Sequence, residues 1–180
     1  MDALESLRLL ARYNRWMNER LYSAAATLSD SELAQPRGAF FGSILGTLNH
    51  LVVADTIWLR RFALHPAQPA ALRAIAAAPA PASLDAPQAA TLAGLRPQRQ
   101  ALDAMIDAWM AQLAAADLDA TLSYRTTRGD AHRRRCGDVL LHFFNHQTHH
   151  RGQATTLLSQ AGVDMGATDL LMLIPQLDAD

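Results

Sequence analysis

Apolar residues recur at Leu4, Leu7, Leu10, Ala11, Trp16, Met17, Leu21 and Ala25, the three-and-four spacing that lays one stripe along a helix. A first helix is therefore predicted over residues 2–28. Ser29-Asp30-Ser31-Glu32 offers capping chemistry for a short helical turn, and 36–42 reads as loop. Ser43 precedes Ile44, Leu45, Leu48, Leu51, Val52 and Ile57, so it N-caps a second helix running to about Leu64. Five prolines fall between 66 and 87, which predicts a long, replaceable Ala/Pro connection with one helical turn near 71–77. A third helix is expected over 88–116, weakened at its start by Gly94 and Pro97. The pattern then shortens. Segments 118–126 and 132–135 flank Arg128-Gly129-Asp130, a turn in which Gly supplies positive φ, and predict a small hairpin. A fourth helix runs from Asp138 to about Gln160 and stops at Gly162. The tail, 163–175, is apolar enough to pack on the helices.

Four long amphipathic segments with little strand predict an all-α fold, a four-helix bundle with a long connection after the second helix. At 180 residues the chain suits a single domain over 1–180.

Composition narrows the function classes. The formal net charge is −1 and all 16 basic residues are arginine, so no broad positive field attracts nucleic acid. The one basic run, Arg133-Arg134-Arg135, reads as a solvated face. A single cysteine, Cys136, allows neither an intrachain disulfide nor a cysteine-based zinc site, and suits a reducing cytoplasm. Early acidic residues argue against a signal peptide, and no apolar run has the length of a membrane span.

The candidate chemistry lies in histidine. Four of seven crowd into His142, His146, His149 and His150. At about 100° per residue, His146 and His150 fall in the same arc, about 80° wide, as Val139, Phe143, Ala154, Leu157 and Ala161. Both thus face the core. Their i, i+4 spacing lets two imidazoles grip one ion, and His142 and His149 lie on the flank. A third ligand should come from another helix. Taken alone, His50 on its apolar stretch reads as a hydrogen-bonded core histidine; joined to the pair, it reads as that ligand, ahead of His65 and His132. Gln153 is either a group that orients a ligand or a helix-edge glutamine. Arg151 points away from the site and is expected to pair with an acid on a neighbouring helix. Gly152 is expected to permit close helix approach, and Trp16 and Trp58 to belong to the core.

The run His146-Gln147-Thr148-His149-His150-Arg151-Gly152-Gln153 resembles the His-x-x-x-His-Arg-Gly-Gln signature of the DinB and YfiT-like metalloenzyme family, which is unrelated to the DNA polymerase of similar name. Tyr13 to Asn18 is similar to that family's first-helix motif. Gly42-Ser43-Ile44 through His50-Leu51, with Trp58, is similar to its second, and Gly162-Val163-Asp164 and Thr168-Asp169-Leu170 resemble its tail. The resemblance implies a metal on His50, His146 and His150, and frequent homodimers. A second apolar strip on the fourth helix, Leu140, Phe144 and Leu158, packs on another helix of the chain or on a second subunit.

Three histidines leave a coordination position open, which separates catalytic from structural metal sites. The expected ion is zinc, nickel or iron. The expected partner is a small-molecule substrate, in one form a low-molecular-weight thiol. Two enzymatic readings stand, a thiol-dependent S-transferase and a metal-dependent hydrolase. The alternatives are a non-catalytic, stress-related metal-binding protein and a helical interaction module without metal.

Overall fold

The computed structural model describes residues 2–176; Met1 and 177–180, the two ends of the expected domain, lie outside them. The described chain is mostly helical, with six helices and one two-stranded sheet. Helix α1 (Ala3–Ala25) starts on a reciprocal cap in which Asp2 accepts from the Glu5 amide and Glu5 accepts from the Asp2 amide. The predicted end at 28 overshoots because Ala26 already caps the helix. Ser29 and Glu32 form the same box at the start of α2 (Asp30–Ala34).

Ser43 N-caps α3 (Ile44–Phe62), its hydroxyl accepting from the Gly46 amide at 3.0 Å. The Ala/Pro connection holds a 3-10 turn at Ala70–Leu72 and the short α4 (Arg73–Ala77), anchored by buried Leu72 and Ile75. Its second half is tied to α3. Asn49 Oδ1 accepts from the amides of Gln88 (2.6 Å) and Ala89 (3.1 Å), and His50 holds the Leu84 carbonyl.

Helix α5 (Leu92–Gln112) begins later than expected because Thr91 caps it, accepting from the Gly94 amide at 3.2 Å. Pro97 sits inside it, past the first turn, so one helical amide bond is missing there. After a 3-10 turn at Ala115–Asp119, β1 (Thr121–Arg125) and β2 (Ala131–Arg135) pair antiparallel, with Thr121 opposite Arg135 and Arg125 opposite Ala131. Gly129 has φ +92°, as its turn requires. Helix α6 (Cys136–Gln160) starts two residues before Asp138 and ends in a Schellman arrangement. There the Val163 amide reaches the Leu158 carbonyl (3.0 Å), the Gly162 amide reaches that of Ser159 (2.9 Å), and Gly162 takes φ +80°.

The four long helices pack as adjacent pairs. Helix α1 lies against α5 and α6, and α3 lies against the same two. One buried apolar cluster draws on all four and on β1 through Leu122 and Tyr124. Leu140, Phe144 and Leu158 are buried within the chain, so this strip offers no free face to a second subunit. The tail packs only in part: Val163 and Met165 are half-buried, whereas Leu171 and Met172 are exposed. No helix among the described residues is long and apolar enough to cross a membrane.

The centre of the helices is not wholly apolar. Arg99 on α5 contacts Asp55 on α3 at 2.6 Å and Asp103 on its own helix at 3.0 Å. Asn14 and Asn18 on α1 donate to Asp103 at 3.2 and 2.9 Å. Gln147 on α6 donates to Asp55, and Arg151 donates to Asn14. Asp55 is 0% exposed and Arg99 2%. The expected acidic partner of Arg151 is thus replaced by an amide on α1, with the Tyr13 ring 5.3 Å from the guanidinium.

Candidate metal centre

His50 comes from the middle of α3, and His146 and His150 from successive turns of α6. One possible ligand nitrogen from each converges so that all lie within 4.8 Å of one another. The ring centroids are 5.4 Å apart for His50 and His146, 4.5 Å for His50 and His150, and 4.3 Å for His146 and His150.

The backbone and a neighbouring amide set the orientation of two rings. His50 Nδ1 donates to the Leu84 carbonyl at 2.8 Å, which leaves Nε2 buried with no hydrogen-bond partner among the described residues. His150 Nδ1 donates to Gln153 Oε1 at 2.8 Å, and Gln153 Nε2 in turn donates to His149 at 3.2 Å. Gln153 thus links the rings of His150 and His149 through its side-chain amide. His146 Nδ1 is also buried without a partner. Unpartnered polar nitrogens in an apolar core cost free energy, and a shared cation would satisfy them; the donor set fits a divalent metal.

Electrostatics keep the rings neutral, the form that ligates. Burial, reinforced by the neighbouring histidines, pulls the His146 pKa down to about 3. Burial also lowers His50, against an opposing pull from the Leu84 carbonyl, and lowers His150.

Sequence reasoning missed one wall of this site. Phe41 stacks face to face on His50 (3.7 Å between centroids, 14° between planes) and meets His150 edge-on at 5.5 Å. Its backbone is pressed against α3: a Cβ added at Gly46 would lie 2.0 Å from the Phe41 carbonyl oxygen. The Gly42 turn, φ +77°, and Gly46 together set that ring over the histidine. The signal, a Phe-Gly-Ser cap three residues before Gly46, was readable as capping but not as a wall.

The remaining histidines stay outside. His65 is buried elsewhere, with Nε2 donating to the Asp117 carbonyl (3.0 Å) and Nδ1 accepting from the Ala67 amide (3.1 Å). His132 lies in the hairpin beside Tyr124. His142 is exposed, one turn before His146, with its ring edge on Trp58 at 5.1 Å. Trp16 and Trp58 are only half-buried, so neither is a full core residue. Gly152 is exposed with open space around a would-be Cβ; it does not serve close helix approach.

A mostly helical chain that gathers three histidines, His50 buried and His146 and His150 half-buried, from two long helices into one cluster falls in the class of helical proteins whose side chains could hold a metal ion. The sequence profile of the DinB family matches residues 3–176, and the chain belongs to that family. No curated protein and no solved structure matches it.

Proposed function

We propose that the chain is a DinB-type four-helix bundle, folded as one domain, that binds one divalent metal ion through His50, His146 and His150 and acts as an enzyme on a small molecule. The observation that supports this most is the convergence of the three imidazoles, with His50 Nε2 and His146 Nδ1 buried and without a hydrogen-bond partner among the described residues. When bound, a divalent ion with a vacant position supplies Lewis acidity toward a thiol, a water or a carbonyl.

The chain's own groups hold the ligands. The Leu84 carbonyl turns His50 Nε2 inward, Gln153 turns His150 Nε2 inward, and Phe41 closes one side to water. Cys136 is no candidate nucleophile, because it is fully buried and burial pushes its thiol up to about 12. A thiol taking part would therefore come from solution, which suits an S-transferase using a low-molecular-weight thiol; metal-dependent hydrolysis is the other form.

Elemental analysis of untagged protein, wild type beside His50→Ala and His150→Ala, tests the proposal. About one ion per chain is expected in the wild type and loss in both variants. No bound metal after refilling with zinc, nickel or iron would overturn it. Metal without turnover on thiol and ester panels would leave the non-catalytic reading.

A further inference from the structure

The ridge His150, His146, His142, Asp138 on α6 runs past the histidine cluster by i, i+4 steps and faces α3, where Trp58 and Arg61 lie beyond His50. Eight residues separate His50 from Trp58, about 12 Å along the helix axis. At this far end lies a cavity of about 480 Å³, walled by Trp58, Tyr124 and Val139 and by the charged groups Arg61, Arg134 and Asp138. His142 lines it, and the His142 ring stands 6.0 Å from that of His146. His142 thus stands between the cavity and the cluster.

Arg61 is the unusual member. Its guanidinium carbon sits 4.5 Å from the Trp58 ring centre and 5.1 Å from that of Tyr124, so two aromatic faces fix the side chain. Among the described residues its guanidinium makes no ion pair and no hydrogen bond, although Arg61 is half-buried. Burial pulls its pKa below the ordinary guanidinium range. The carboxylate in the wall, Asp138, already meets Arg135 at 3.5 Å. A planar, half-desolvated guanidinium held against two rings, with no counter-ion among the described residues, presents the fork geometry that recognises a carboxylate. The flat walls beside it suit an apolar, planar body.

We infer that this cavity is the recognition half of a two-part substrate site, in which Arg61, with Arg134 at its side, binds the carboxylate of a flat, apolar organic acid whose reactive end reaches toward the three histidines. Only the direction of the reactive end rests on the metal proposal. Carboxylate binding itself does not.

Isothermal titration calorimetry on the full chain, as purified and after chelation, with sodium 2-naphthoate against neutral 2-naphthamide, tests it. The acid should bind at least about tenfold more tightly than the amide in both metal states. Arg61→Gln should abolish that preference with metal content unchanged, and Arg61→Lys should restore it in part. The Arg61 Nε–Hε resonance of the wild type should move with the acid and not with the amide, a readout that stands if Arg61→Gln folds poorly. Equal affinities, no binding of the acid at millimolar concentration, or a preference that survives Arg61→Gln would overturn the assignment. So would a preference present only with metal, which places the carboxylate on the ion. Metal content measured in parallel keeps failure here separate from failure of the metal site.

Discussion

Arg99→Met tests the polar centre of the fold. The wild-type network is balanced, with Arg99 and Arg151 against Asp55 and Asp103, all nearly inaccessible to water. Met roughly matches the arginine stem in volume, so little packing is lost. Two buried carboxylates lose their shared counter-charge, and breaking a buried ion pair from one side costs about 3–5 kcal/mol. With a urea slope of about 2–3 kcal/mol per molar, the midpoint should fall by about 1.5 M at pH 7 with an unchanged slope. The penalty should also depend on pH. Burial pushes Asp55 up to about 6 against the pull of Arg99; without Arg99 the carboxyl rises further and takes up a proton in the native state. The penalty is then greatest above pH 6 and shrinks as pH falls toward 4. A loss below about 1 kcal/mol at pH 7, or a penalty that grows on acidification, would refute the reasoning.

The other expectations are briefer. In metal-free protein, His146 with its pKa held near 3 contributes stability that is present above the ordinary histidine pKa and lost as pH falls from about 6.5 toward 3. Between pH 7 and 5, wild type should therefore lose about 1 kcal/mol more than His146→Asn, after discounting for partial exposure, as read by denaturation in chelator. The three raised carboxylates, Asp55, Asp103 and Asp107, run the opposite way but are common to both proteins and cancel. Asn49→Ala leaves the amides of Gln88 and Ala89 without their acceptor, and should cost about 1–3 kcal/mol in urea titration. By loosening the segment that orients His50, it should also weaken metal affinity about tenfold in competition with a chelator dye. Thermal melts should separate two glycines: Gly46→Ala collides with the Phe41 backbone and destabilises by more than about 2 kcal/mol, while Gly152→Ala stabilises by up to about 1 kcal/mol.

Much of the helical framework was legible because apolar spacing and caps agree. Ser43, Gly162 and the Asp2–Glu5 pair each satisfy helix-end groups locally, so those ends follow from neighbours in sequence. The start of helix α5 was misplaced because Thr91 was not read as its cap, and its end because the backbone already turns extended at Leu113. The histidine positions were legible for the same local reason, since i, i+4 residues share a face and His50 was the mid-helix candidate elsewhere. Whatever depends on distant backbone was not. No periodicity in the Ala/Pro connection marks Leu84 as the residue whose carbonyl meets His50, nor does the sequence turn Phe41 over that ring. The polar centre did leave a signal that went unused. Asn14 with Asn18, Arg99 with Asp103 and Gln147 with Arg151 are each i, i+4 polar pairs on otherwise apolar faces.

Helix α6 carries two such pairs one residue out of step, His146 with His150 and Gln147 with Arg151. One step turns the face by about 100°, so the first pair meets α3 at the histidine cluster while the second enters the polar centre. There Gln147 donates to Asp55, which lies on α3 only five residues beyond His50. The same two helices that carry the histidines are thus cross-braced beside them by a directional bond, and Arg99 fixes the far side of Asp55 to α5. Apolar contact is non-directional and leaves the match between two helices less uniquely specified. A buried carboxylate that must keep both its amide and its guanidinium does not. The polar centre therefore sets the axial register of α3 against α6, the coordinate on which the approach of His50 to His146 and His150 depends.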